Sequence, residues 1–124
     1  DLGYHIFRIS LAYREAMEQN NLPKEWLQEG APPEVPDGPA IVLYGQKVRN
    51  RVAEWLGRPE GHRGTVMTYY GPQTAHELLE RTTWHAAQHL RQLYLFLQRM
   101  EVTPDRPLTD EDYNGLPMPK EVWS

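Results

Sequence analysis

Residues 82–93 read TTWHAAQHLRQL and contain the most informative pair of residues in the chain, His85 and His89. The apolar positions of this stretch recur at the three- and four-residue spacing of an amphipathic helix. His85 and His89 stand four residues apart, so their side chains lie on one face of that helix. Two imidazoles on one face can converge on one metal ion. The stretch therefore predicts a long helix with two candidate metal ligands on its inward side.

Proline and glycine divide the rest of the chain. All 11 prolines and most of the 9 glycines lie in three regions: Pro23–Pro39, Gly57–Pro72 and Pro104–Pro119. Because these residues interrupt regular structure, the windows between them are the candidate helices. Thr74 followed by Glu77 is the sequence pattern of a capping box at the start of the last window. The predicted helices are Leu2–Asn20, Ala40–Leu56 and Ala75–Met100.

The three windows favour an all-α fold, an antiparallel helical bundle in one domain of residues 1–124. Thr65–Tyr70 looks extended, but one such run cannot form a sheet alone, so we expect a connector that covers the end of the bundle. The first residue is Asp1 and already lies in a helical pattern. We therefore expect the domain to be part of a longer polypeptide.

The first predicted helix has two apolar faces. His5 lies on one of them, within an uncharged arc that also holds Leu2, Ile6, Ile9, Ala12, Tyr13, Ala16 and Met17. Tyr4, Phe7 and Leu11 form a second patch on the far side. Since a helix with two apolar faces needs two neighbours, we expect a fourth element over this patch. A preceding segment, the C-terminal tail or a second copy of the chain would serve.

Three histidines on two inward faces, in a chain with no cysteine, predict a metal site at His5, His85 and His89. The alternative is that each is a hydrogen-bonded core histidine, which would require a separate buried partner for each ring. His76 falls opposite His85 on its helix, so we interpret it as a surface residue. His62 lies in a glycine-flanked segment and is interpreted as a loop residue.

The spacing excludes two familiar metal chemistries. Zincin metalloproteases place a glutamate directly after the first histidine, and here that position is Ala86. Ferritin-like di-iron proteins need a glutamate three residues before each histidine, and here those positions are Thr82 and Ala86. What remains is three neutral nitrogens with open coordination positions, an arrangement typical of a catalytic metal.

Composition excludes several classes of partner. The net charge of -4 comes without a basic stripe, which argues against nucleic acid. No apolar run approaches the roughly 20 residues of a membrane span, so we expect no membrane partner. The absence of cysteine leaves no disulfide framework and favours the cytoplasm.

Two segments carry a family resemblance: DLGYHIF at residues 1–7 and LLERTTWHAAQHLRQL at residues 78–93. They resemble the DinB/YfiT-like superfamily, a group of metal-binding four-helix bundles with one histidine on the second helix and an H-x-x-x-H pair on the last. The resemblance implies that His5, His85 and His89 are the metal ligands. It also implies that this chain lacks or borrows the first helix of the bundle.

The resemblance further implies a divalent metal, zinc or nickel, and an S-transferase or isomerase that uses a low-molecular-weight thiol such as bacillithiol, mycothiol or glutathione. The expected partners are that thiol and a small electrophile, with a homodimer mate or a fused N-terminal domain. Residues near the ligand faces that could orient the thiol are Tyr4, Tyr13, Thr82 and Gln92. The alternative function is a non-enzymatic helical interaction domain whose metal is structural or absent.

Overall fold

Three helices dominate the computed structural model, which describes residues 1–60 and 64–123. They are α1 (Leu2–Gln19), α2 (Gly38–Leu56) and α3 (Ala75–Arg99), with a short 3-10 helix at Lys24–Leu27. These bounds confirm the three predicted helices. The capping box is also confirmed, because Thr74 Oγ1 accepts from Glu77 N at 3.1 Å and Thr74 N donates to Glu77 Oε2 at 2.8 Å.

A small sheet, which the sequence analysis did not predict, lies beside the helices. It consists of β1 (Asn21–Leu22), β2 (Thr65–Thr68) and β3 (Gly71–Thr74) in the order β1-β2-β3. The β1–β2 pairing is parallel and the β2–β3 pairing is antiparallel. The expectation that the extended run would stay unpaired was therefore wrong. Its partners are two very short segments, one directly after α1 and one directly before α3, and both are too short to show a strand period.

The sheet closes one end of the hydrophobic core. Leu22 from β1 and Val66 from β2 are buried in one cluster with Leu78 of α3 and with four residues of α1, namely Ile9, Ala12, Tyr13 and Ala16. The strands therefore cover the last turns of α1 and the first turns of α3. The connector that was expected at this end of the bundle is therefore a small sheet.

Helix α1 packs against both other helices and is the centre of the fold. Its neighbour α3 runs antiparallel to it, because the His5 ring lies 4.9 Å from the His89 ring while Arg81 Nε donates to Tyr13 OH at 2.9 Å. Moving forward along α1 therefore means moving backward along α3. This pair has the predicted antiparallel arrangement.

The pair formed by α1 and α2 is parallel, so the prediction of an antiparallel bundle was wrong for these helices. The Tyr4 ring stacks on the Tyr44 ring near the start of both, and Arg51 Nη2 lies 3.9 Å from Glu15 Oε1 further along both. The connection of residues 20–37 returns along α1, as the 2.7 Å bond from Arg8 Nε to Glu29 shows. A long connection permits a parallel neighbour, whereas a short loop enforces an antiparallel one.

The second apolar face of α1 is covered by α2 itself. Tyr4 and Leu11 are buried, Tyr4 stacks on Tyr44, and the Phe7 ring lies against Gly45. Over Tyr4 and Leu11, α2 therefore supplies the cover that was expected from a fourth element, and a four-helix bundle is not what the described residues form. The helical wheel correctly required two neighbours for α1, but α2 and α3 already supply them. Among the described residues, none of the helices has the length and apolar content needed to cross a membrane.

Gly45 allows α1 and α2 to approach closely, and replacing it by alanine should destabilise the protein. Glycine to alanine in a helix interior normally stabilises by about 1 kcal/mol. Here a Cβ atom would overlap the Phe7 ring. We expect the free energy of unfolding to fall by about 1–3 kcal/mol, the usual cost of overpacking. Urea denaturation measures this change. In a Phe7→Leu background, which removes the ring, Gly45→Ala should cost much less stability than it does in the wild-type protein. A more stable Gly45→Ala protein would contradict the packing.

Candidate metal centre

Three histidines meet where α1 and α3 cross. His5 comes from the first turns of α1, and His85 and His89 come from successive turns of α3. The ring centroids of His85 and His89 are 4.5 Å apart. The ring centroid of His5 lies 5.7 Å from that of His85 and 4.9 Å from that of His89. One nitrogen from each ring lies within 4.8 Å of the other two. The structure therefore brings together all three residues that the sequence analysis selected.

The nitrogen atoms are close to the geometry that a metal ion requires. Bond lengths of about 2.1 Å to a tetrahedral ion separate the ligand nitrogens by about 3.4 Å. From a separation within 4.8 Å, this spacing requires side-chain adjustments on the order of an ångström. Among the described residues, no carboxylate joins this cluster, so its donor set is three imidazoles.

Two of the rings are held in the neutral form that a ligand needs. Burial lowers the pKa of His85 from its ordinary 6.5 to about 4, with smaller contributions from His89, His5 and Arg81. Burial, followed by the charge of His89, also lowers the pKa of His5. A neutral imidazole keeps a free lone pair, whereas a protonated one cannot bind a cation. The site is therefore ready for a metal near neutral pH.

Neighbouring groups determine which ring nitrogens of His85 and His89 are available to bind a metal. His89 Nδ1 lies 2.9 Å from Gln92 Oε1. A hydrogen bond to this oxygen requires the proton on Nδ1, and this tautomer leaves the lone pair on Nε2. The amide fixes both the tautomer and the orientation of the ring. His85 Nδ1 is buried and has no hydrogen-bond partner among residues 1–60 and 64–123. An unpaired buried ring nitrogen is costly in a closed core and useful in a metal site.

Trp123 covers one side of the site, which the sequence analysis did not predict. Its ring centroid lies 4.9 Å from that of His89 and 5.9 Å from that of His85. The tail is held on α3 by two bonds to its carbonyl groups, from Gln88 to Glu121 O at 2.8 Å and from Arg91 to Pro119 O at 2.9 Å. A lone tryptophan in a proline-rich tail carries no periodic signal, so only the tertiary structure shows its position.

The four residues expected to orient a thiol lie at different distances from the three histidines or on different sides of the helices. Gln92 contacts His89, as described above, while Tyr4 lies on the opposite side of α1 against Tyr44. The expectation that Tyr4 adjoins the ligand face was therefore wrong, because it precedes His5 by one residue and a helix turns about 100° per residue. Tyr13 OH accepts a hydrogen bond from Arg81. Thr82 lines a separate groove between the helices.

The two remaining histidines were predicted to lie outside the site. His76 is exposed in the first turn of α3, which confirms its interpretation as a surface residue. His62 was interpreted as a loop residue and lies outside the described residues.

The lowered pKa of His85 predicts an acid-sensitive fold in the metal-free protein. Its folded-state pKa is about 4 and its ordinary value is 6.5, so the unfolded chain takes up the proton first as the pH falls. As the pH falls between these values, protonation of this residue in the unfolded chain should lower the free energy of unfolding by up to about 1.4 kcal/mol per pH unit. Urea denaturation near pH 7 and near pH 5 measures it. His85→Asn should flatten this dependence, whereas an unchanged slope in that variant would assign the effect elsewhere.

Comparison of the chain with protein-family models, with curated proteins and with solved structures gives no match in any of the three.

Proposed function

We propose that His5, His85 and His89 bind one divalent metal ion, zinc or nickel, in a site with open coordination positions. The convergence of these three rings from two helices far apart in sequence carries the proposal. The unpaired His85 Nδ1 and the tautomer set on His89 by Gln92 support it. Three imidazoles without a carboxylate leave at least one position of a tetrahedral ion for a water or a substrate.

We further propose that the domain is a metal-dependent thiol S-transferase or isomerase. A divalent ion in this site would supply a Lewis acid that favours the deprotonated form of a thiol near neutral pH. The chain has no cysteine, so the thiol has to be a separate small molecule such as bacillithiol, mycothiol or glutathione. This proposal rests on the resemblance of residues 1–7 and 78–93 to the DinB/YfiT-like superfamily and on the donor set. It places the protein in the cytoplasm, where such thiols are reduced.

The residues around the histidines have definite roles in this proposal. Gln92 orients His89 through its ring Nδ1, and the neutral rings of His5 and His85 would offer lone pairs to a bound cation. Trp123 supplies an aromatic wall beside His85 and His89. A wall of this kind reduces the access of water and gives the carbon part of a substrate a surface to pack on.

The second candidate function is a non-enzymatic interaction domain. Val42 and Leu43 on α2 are 57% and 61% exposed, and they favour a surface that contacts another protein. In this case the metal would be structural or absent. The two functions differ in one measurable property, because only the enzyme consumes a thiol.

The test begins with metal analysis of protein purified without chelator and without a nickel column. We expect about one equivalent of metal, and Ni²⁺ added to metal-free protein should quench tryptophan fluorescence, with a smaller response in Trp123→Phe. Conjugation of glutathione, bacillithiol or mycothiol to a chromogenic aryl halide is then followed with and without metal. Metal-dependent turnover supports the enzyme. Turnover that persists in metal-free protein refutes the mechanism, and metal binding without turnover of any of these thiols favours the interaction domain.

A further inference from the structure

An apolar groove of about 660 Å³ is lined by α1, α2 and α3 and by part of the C-terminal segment, residues 108–116. Its walls are mainly aliphatic, for example Ile6, Val52, Leu79, Leu90 and Leu93. None of the three histidines lines it, so it is separate from the candidate metal centre. Its volume falls within the range of about 300–1,000 Å³ that is typical of small-molecule pockets.

The groove is long. Its lining runs from Gly3 to Met17 on α1 and from Leu79 to Leu93 on α3. At a rise of 1.5 Å per residue, each of these stretches covers about 21 Å. One acyl chain spans about 15 Å, half of the hydrocarbon core of a bilayer. The groove therefore has room for one extended acyl chain lying along α1.

One end of the groove carries a buried cation. The Arg14 side chain is only 9% exposed, and its Nη2 lies 2.8 Å from Glu18 Oε1. Its Nε is buried and has no hydrogen-bond partner among the described residues, and the same holds for Thr82 Oγ1. Both residues line the groove. Arg14 follows Tyr13 on α1, and Thr82 follows Arg81 on α3. Because Arg81 donates a hydrogen bond to Tyr13, Arg14 and Thr82 lie at the same end of the groove.

These unpaired groups indicate the chemistry of the ligand. A buried guanidinium N–H and a buried hydroxyl that lack partners are costly, and both can donate to a carboxylate. Glu18 contacts Nη2 and leaves Nε free for a second acceptor. Asp112 also lines the groove, but it is exposed and already accepts a hydrogen bond from Thr109 N. Among the described residues, Arg14 is thus the only basic one in the groove wall, and it lies at one end of a mainly apolar channel.

We propose that this groove binds a long-chain carboxylic acid. The hydrocarbon chain lies along α1 between α2 and α3, and the carboxylate accepts hydrogen bonds from Arg14 Nε and Thr82 Oγ1. This binding function is separate from metal binding, since none of the three histidines lines the groove.

The test uses the whole chain and the neutral fluorescent probe N-phenyl-1-naphthylamine, which brightens in apolar sites. Dodecanoate and 1-dodecanol are compared as competitors, because they share a chain and differ in the head group. Dodecanoate should displace the probe at a concentration at least about tenfold lower, as expected for a charge-assisted hydrogen bond. Ala86→Phe, which fills the groove, should abolish probe binding while circular dichroism shows an intact helical fold.

Matched variants then identify the head-group site. Arg14→Met should remove the preference for the acid, while Arg49→Met, at an exposed position outside the groove, should keep it. If Arg14→Met does not fold, Thr82→Val serves instead and should reduce the preference several-fold. Equal competition by acid and alcohol in the folded wild-type protein overturns the proposal, as does the absence of saturable probe binding. A dimer that Ala86→Phe dissociates, and that does not bind the probe, also overturns it and assigns the groove to a second copy.

Discussion

Replacing His89 by alanine should weaken zinc or nickel binding by at least about a hundredfold, since even the loss of residues that only support a ligand costs about 10- to 100-fold. The His89 ring lies 4.9 Å from that of His5 and 4.5 Å from that of His85, and its Nδ1 contacts Gln92, which leaves Nε2 for the metal. Without it, His5 and His85 leave only two nitrogens, too few to hold a divalent ion tightly. Competition against a chromophoric chelator measures the affinity. Any metal-dependent thiol turnover should disappear with the metal.

The same variant should remain folded, because the helices are stabilised mainly by apolar packing. Wild-type protein at a metal concentration of about 100 times the dissociation constant should gain about 2.7 kcal/mol of stability, and His89→Ala should gain almost none. His76→Ala is the matched control, because His76 is exposed on the same helix and should change neither quantity. If His89→Ala binds metal as tightly as the wild-type protein, the three histidines are not the site.

Replacing Leu78 by alanine should cause the largest loss of stability, about 2–5 kcal/mol. Leu78 is fully buried where α3 meets α1 and the sheet, in the cluster that contains Ile9, Leu22 and Val66. A smaller side chain loses the transfer free energy of the removed atoms and leaves a cavity, because the neighbouring elements cannot fully close it. The thermal midpoint should fall by about 10 °C or more.

Val42→Ala is the control for this prediction. Val42 is 57% exposed on α2, so its replacement should change the stability by less than about 0.5 kcal/mol. Folded Leu78→Ala should keep wild-type metal affinity, which is the reverse of what His89→Ala does. A loss of stability no greater for Leu78→Ala than for Val42→Ala would show that the cluster around Leu78 is not the core.

The helices could be predicted because their signals are local. Thr74 and Glu77 cap α3 within one turn, and Asp37 accepts a bond from Ala40 N at the start of α2, next to Pro39. Helix hydrogen bonds join residues four apart, so a short window of sequence holds the information. The convergence of His5 with the α3 pair followed from the same periodicity, since all three belong to inward faces.

The sheet and the parallel packing of α1 and α2 could not be predicted from such local signals. Strand β1 has two residues and pairs with Met67 and Thr68, far along the chain, so no window contains both partners. The parallel arrangement of α1 and α2 depends on the path of residues 20–37, which is held by the ion pair of Arg8 with Glu29. Neither contact leaves a periodic pattern in the sequence.

Local sequence patterns were enough to predict the three helices and which histidines face inward, because both properties depend on hydrogen bonds and periodicity within a few turns. Three features are visible only in the folded chain: α2 packs on the second face of α1, Trp123 lies beside the histidines, and an apolar groove with Arg14 at one end remains. These features arise from contacts between segments that are distant in sequence. Their formation depends on how whole surfaces fit together, which no single stretch of the chain encodes.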